Sequence, residues 1–192
     1  SQEKTKKQVI PSVVMIDDFE DGKFNENPVW WQFGNLTTKV VNNKDKEKFL
    51  GQISTTFNGK ASNWYAGGFG TYTAKDLRFL TNIKIVIYSP HINAGMIKLE
   101  FYDDDNNNQV VDIDDDTKRP SKDDIFTTTF ILDWKGWKVV NIPISRFVDD
   151  NPGIGDDTWN PYKQHGSSGL TQLQMIALSA KYPDANVAFH ID

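Results

Sequence analysis

No stretch of this chain sustains the 3.6-residue apolar period of a long amphipathic helix. Apolar and β-branched residues instead alternate with polar ones in short runs closed by Asn, Asp, Gly and Pro, the pattern of strands and turns. The clearest runs are Ile83-Lys84-Ile85-Val86-Ile87-Tyr88 and Met96-Ile97-Lys98-Leu99-Glu100-Phe101-Tyr102. Strands are also expected at 13–16, 36–41, 49–56, 64–72, 110–113, 126–132, 137–142, 173–179 and 187–191, with single helical turns at 73–80 and 144–148. So many short strands in 192 residues predict one all-β domain, an antiparallel two-sheet β-sandwich of jelly-roll type. Residues 1–11, rich in Gln, Lys and Thr and without apolar period, read as a flexible tether before a single domain over 12–192.

Charge and motifs exclude several function classes. With 21 Lys and Arg against 26 Asp and Glu, the net charge of -5 disfavours nucleic acid and anionic membrane as partners. The absence of Cys removes disulfides, thiolate metal sites and cysteine nucleophiles together. No apolar run approaches the ~18 residues of a transmembrane segment. His91, His165 and His190 have no nucleophile-motif neighbours, and the chain has no G-x-S-x-G elbow, H-E-x-x-H pair or phosphate-cradling glycine loop before a helix. No enzymatic activity is expected.

Two acidic clusters raise the question of a cation. Asp103-Asp104-Asp105-Asn106-Asn107-Asn108 spaces oxygen ligands as a calcium loop does, with Asp114 at the closing position. It lacks the glycine at the sixth position and the flanking helices, so a turn built from Asn and Asp is the reading taken. Asp17, Asp18 and Glu20 end the first expected strand and Asp192 the last. If the terminal strands lie side by side, these carboxylates converge and need a cation, for which all-oxygen calcium ligation is suited.

Aromatics form the third group. Asn27-Pro28-Val29-Trp30-Trp31, Asn63-Trp64-Tyr65-Ala66-Gly67-Gly68 and Asp157-Thr158-Trp159-Asn160-Pro161-Tyr162 set large rings beside turn residues. Sugars stack axial C–H faces on such rings and bond their hydroxyls to short polar side chains. Trp64, Tyr65, Trp159 and Tyr162 are therefore the expected stacking platform, with Asp157 and Asn160 as hydroxyl partners. Gly67 and Gly68 leave room for a sugar chain to approach. If the strand is regular, Trp64 and Tyr65 point to opposite faces, and Trp64 is preferred.

At these residues the chain resembles family 11 carbohydrate-binding modules. Ile16-Asp17-Asp18-Phe19-Glu20-Asp21 is similar to the family's D-D-F-E opening, and 137–147 to its W-K-x-x-x-I-P-F-x-x-F segment. Residues 170–180 resemble its L-x-x-I-x-x-I strand, and 187–192 its closing F-x-V-D. The resemblance implies a galactose-binding-like jelly roll without catalysis, structural calcium, and a cleft on one sheet that takes β-glucan chains. It also implies a secreted or surface-attached bacterial protein, with a possible appended catalytic or surface-anchoring module. Val148-Asp149-Asp150 stands where the family has an Arg, and Ala177 and Ala180 where it has His and Tyr. Two functions are thus expected: polysaccharide or oligosaccharide binding, or a structural or protein-interaction sandwich of a surface layer or filament sheath.

Overall fold

The computed structural model describes residues 13–45, 47–73, 77, 79–159 and 169–192. The expected tether (1–11), part of the expected turn at 73–80, and the candidate residues Asn160 and Tyr162 lie outside the described residues.

Among the described residues eleven strands follow one another: β1 (Trp31–Gly34), β2 (Thr37–Asn42), β3 (Ile53–Lys60), β4 (Tyr65–Tyr72), β5 (Asn82–Ser89), β6 (Met96–Asp104), β7 (Asp124–Ile131), β8 (Gly136–Pro143), β9 (Val148–Asp149), β10 (Gly169–Leu178) and β11 (Asn186–Ile191). They form a six-stranded sheet ordered β1-β4-β10-β6-β7-β9 and a five-stranded sheet ordered β2-β3-β11-β5-β8. All the strand pairs are antiparallel. A 3₁₀ turn, Ile144–Arg146, falls where a helical turn was expected at 144–148. The antiparallel β-sandwich read from the alternating runs is the fold. Among the described residues, no helix is long and apolar enough to cross a membrane.

Period-two alternation decides which side chains meet between the sheets. On β6, Ile97, Leu99 and Phe101 face inward, and on β10 Leu173, Met175 and Ala177 do the same. The five-stranded sheet answers with Phe57, Ile85, Ile87, Ile142, Val187, Phe189 and Ile191. At the centre Phe57 stacks on Phe69 at 4.1 Å and on Phe189 at 5.0 Å. Side chains on alternate positions of the six-stranded sheet face away from this core and define its outer face.

Three strand expectations need correction. Residues 13–16 form no strand; Val14 and Ile16 pack on the core from an irregular segment. Residues 110–113 form a loop, touching a partner strand only through the Ile113–Pro120 bridge. β3 starts four residues later than the expected 49–56 run, at Ile53 where its pairing with β2 begins, and runs on to Lys60, where β11 pairs with it.

Candidate functional site

The outer face of the six-stranded sheet carries a groove of about 420 Å³. One wall is aromatic and comes from the edge strand β1. Trp31 pairs with Gly70 and Phe33 with Gly68 across the β1–β4 ladder. A β-carbon at Gly70 would fall 2.7 Å from Trp31 Cζ2, and one at Gly68 2.5 Å from Phe33 Cζ. Each ring therefore lies over a glycine, which leaves it no side chain to strike. This corrects the expectation that Gly68 is left open to an approaching sugar: its own neighbour Phe33 covers it. Tyr72 extends the wall, its ring 4.9 Å from that of Trp31.

The floor is polar. Gln172 and Gln174 alternate with inward-facing Leu173 and Met175 on β10 and line the groove beside Tyr102 of β6. Tyr102 donates its hydroxyl to Glu100 Oε2 at 2.9 Å, and Lys98 donates to Glu100 Oε1 at 2.9 Å and Asp150 Oδ2 at 3.1 Å. Arg119 also donates to Asp150, at 3.0 Å. Burial and then the Glu100 charge push the Tyr102 hydroxyl well up, so it stays a donor at neutral pH. Burial works against the Lys98 charge, but the bonds to Glu100 and Asp150 outweigh it and raise its pKa. The second wall is the 105–123 loop, which presents Val110, Val111, Ile113 and Lys118. Asp104 shapes this loop by accepting the backbone N–H of Asn108 (3.2 Å) and Gln109 (2.6 Å). The Asn106 and Asn108 amides both donate to Asp112. The turn reading of 103–108 describes this part of it.

The expected stacking residues do not converge on one surface. Tyr65 begins β4 and pairs with Leu178, which pairs with Met96, at the end of the sheet away from Tyr72. Seven residues of strand separate Tyr65 from Tyr72, roughly 23 Å. Trp64 sits in the preceding turn at positive φ, 45 % exposed, held by backbone bonds to Pro183 and Ser179. The Trp159 ring points the other way, edge-on to Phe101 (5.9 Å) and Phe126 (5.1 Å) and against Phe147, so it caps the core. Asp157 is exposed and accepts the Gly153 N–H at 2.7 Å. Trp31, Tyr72, Tyr102, Gln172 and Gln174 were missed by sequence reasoning. The available signal was aromatic-x-aromatic at 31 and 33 facing Gly-x-Gly at 68 and 70.

The acidic chain ends divide. Glu20 Oε1 accepts the N–H groups of Gln52 and Ile53 at 2.7 and 2.9 Å, while Asp192 accepts the N–H of Gly51 and the Asn43 amide. Both reach one turn, through loops rather than through paired terminal strands. Burial and, to a lesser degree, the nearby charges of Glu20 and Asp18 raise the Asp192 pKa. Asp18 caps the Glu20 N–H, and Asp17 accepts the Trp30 indole N–H at 2.6 Å and the Phe19 N–H. These four form no group of three carboxylates with ligating atoms within 4.8 Å of one another. Among the described residues, two such groups that could hold a metal ion occur elsewhere: Asp105, Asp124 and Asp156, and Asp124, Asp149 and Asp157.

No protein-family model and no curated protein matches the chain. Solved structures do. One is a family 11 carbohydrate-binding module from Clostridium thermocellum in complex with a β-1,3-1,4-mixed-linked tetrasaccharide, at 16 % identity and a TM-score of 0.56, over 93 % of this chain and 91 % of that one. Another is the family 11 module of a cellulosomal cellulase of Clostridium thermocellum, at 18 % identity and a TM-score of 0.55, over 93 % and 90 %. The chain has the β-sandwich fold of the family 11 carbohydrate-binding modules.

Proposed function

We propose that this protein is a non-catalytic glycan-binding module that takes an extended β-glucan-type chain along the outer face of its six-stranded sheet. The observation that carries the reading is the pair of rings, Trp31 and Phe33, laid over Gly70 and Gly68 beside a floor of Gln172, Gln174 and Tyr102. Flat apolar walls receive the C–H faces of sugar rings, and amide and phenol groups bond the hydroxyls. The Lys98–Glu100–Asp150–Arg119 network keeps the polar groups beside the floor in fixed orientations. The mixed-linked tetrasaccharide named with the family 11 structure supports a β-glucan as the polymer class. A secreted or surface-attached setting follows from this reading, because such polymers lie outside the cell. The reading includes a structural calcium ion shared by Glu20 and Asp192, whose carboxylates reach the same turn.

The test is native electrophoresis in gels containing mixed-linked β-glucan, mannan or xylan. Retardation by the β-glucan, lost in Trp31→Ala, is expected. Unchanged mobility in every polymer would refute glycan binding and leave the interaction sandwich.

A further inference from the structure

The groove leaves unused a group of carboxylates gathered near the ends of β6 and β7. Asp105 follows β6, Asp124 opens β7, and Asp149, Asp156 and Asp157 belong to β9 and the loop after it. Surface acids gather often without a ligand, so the cluster alone decides nothing. Asp124 is different. It is fully buried, its Oδ2 accepts the Thr158 N–H at 3.2 Å, and its Oδ1 is buried without a hydrogen-bond partner. That orphaned atom shares a space with Asp105: a β-carbon at Gly155 would strike both Asp124 Oδ1 and Asp105 Oδ2. Gly155, at φ +77°, thus keeps open a small cradle with carboxylate oxygens on its walls. Asp105 Oδ1 is a second buried oxygen without a partner.

Buried carboxylate oxygens facing one another need a proton or a cation. No Lys or Arg among the described residues forms an ion pair with Asp105 or Asp124; Lys98 and Arg119 are engaged by Asp150. Asp124 is common to both triads, but only the first adds a second buried oxygen without a partner, Asp105 Oδ1, which makes it the better receptor.

We propose that Asp105, Asp124 and Asp156 bind one hard divalent cation, calcium by its all-oxygen ligands, distinct from any ion at Glu20 and Asp192. The ion ties the loop after β9 to the ends of β6 and β7. It thereby holds the segment that carries Trp159 against Phe101 and Phe126. The site is independent of the glycan reading.

The test is calorimetric titration of the chelator-stripped full chain with Ca²⁺, alongside Asp124→Asn, Asp156→Asn and Glu20→Gln. Each isosteric change removes one ligand charge. Binding should persist in Glu20→Gln and weaken at least tenfold in both Asp variants, whose circular dichroism stays that of a folded sandwich. Should buried Asp124→Asn fail to fold, the exposed Asp156→Asn decides. The proposal is overturned if Glu20→Gln binds no Ca²⁺ at millimolar concentration, or if Asp156→Asn binds it as the parent does.

Discussion

Trp30 and Trp31 are adjacent and identical, yet the fold assigns them opposite duties, so replacing each by Ala separates core from site. Trp30 is 4 % exposed, packs against Phe19, Phe24 and Phe69 with centroids 5.5–6.3 Å away, and donates to Asp17. Removing it opens a cavity and orphans Asp17, for a loss of ~3–5 kcal/mol of stability. Trp31 lies on the outer face over Gly70, with Tyr72 as its ring partner. Its removal forfeits that pair and some partial burial, about 0.5–1.5 kcal/mol. In the glycan complex it should cost ~1–3 kcal/mol, a rise in Kd of roughly 5- to 150-fold. Urea melts supply the stabilities, and oligosaccharide titration of the folded fraction supplies the affinities. The reasoning fails if Trp31→Ala melts as poorly as Trp30→Ala while binding normally per folded molecule.

Further outcomes follow from the same geometry. Gly70→Val puts side-chain atoms where Trp31 Cζ2 and Gln174 Cγ stand 2.7 and 2.9 Å from a β-carbon, so affinity electrophoresis should show binding lost in a chain that still melts cooperatively. Trp159→Ala should lose on the order of 3 kcal/mol in a urea melt, because its ring caps Phe101 and Phe126, with glycan affinity per folded molecule unchanged. His190 lies 4.9 Å from the Tyr88 ring and 6.0 Å from Trp137, and burial lowers its pKa despite the opposing Asp45 charge. The unfolded chain then binds the proton first. The His190 contribution is complete above pH ~6.5 and declines as pH falls from there toward the folded pKa, and His190→Gln should flatten that part of the pH–stability curve.

Alternation read along the chain located β5, β6, β8 and β11 closely, because each has one buried and one outward-facing set of side chains. It failed where partners rather than pattern make the strand. Asn58-Gly59-Lys60 lies beyond the expected 49–56 run, yet it continues β3 because β11 pairs with it as far as Lys60. Val110-Val111-Asp112-Ile113 looks like a strand, yet it serves as a groove wall, held by Asp104 through the Gln109 N–H and by Asp123 through the Asp112 N–H. The convergence expected of the acidic ends holds for Glu20 and Asp192, which bond one turn, but Glu20 comes from an irregular segment and not from a terminal strand beside β11. The groove was harder to foresee. Trp31 gains its meaning only from pairing with Gly70 three strands later, and a chain read in order does not reveal which edge strand lies beside which glycines. Local composition suited Trp64 and, as second choice, Tyr65. The register places Tyr65 at the other end of β4 from Tyr72, with Trp64 in the turn before it.

The most direct test of the account is a two-dimensional ¹⁵N–¹H nuclear magnetic resonance titration with a mixed-linked β-glucan oligosaccharide. The account predicts shifts concentrated at the Trp31 indole, the Gly68 and Gly70 amides, and Gln172, Gln174 and Tyr102, with the five-stranded sheet undisturbed. Shifts confined to the Trp64 turn or to the five-stranded sheet, or none at saturating oligosaccharide, would contradict it.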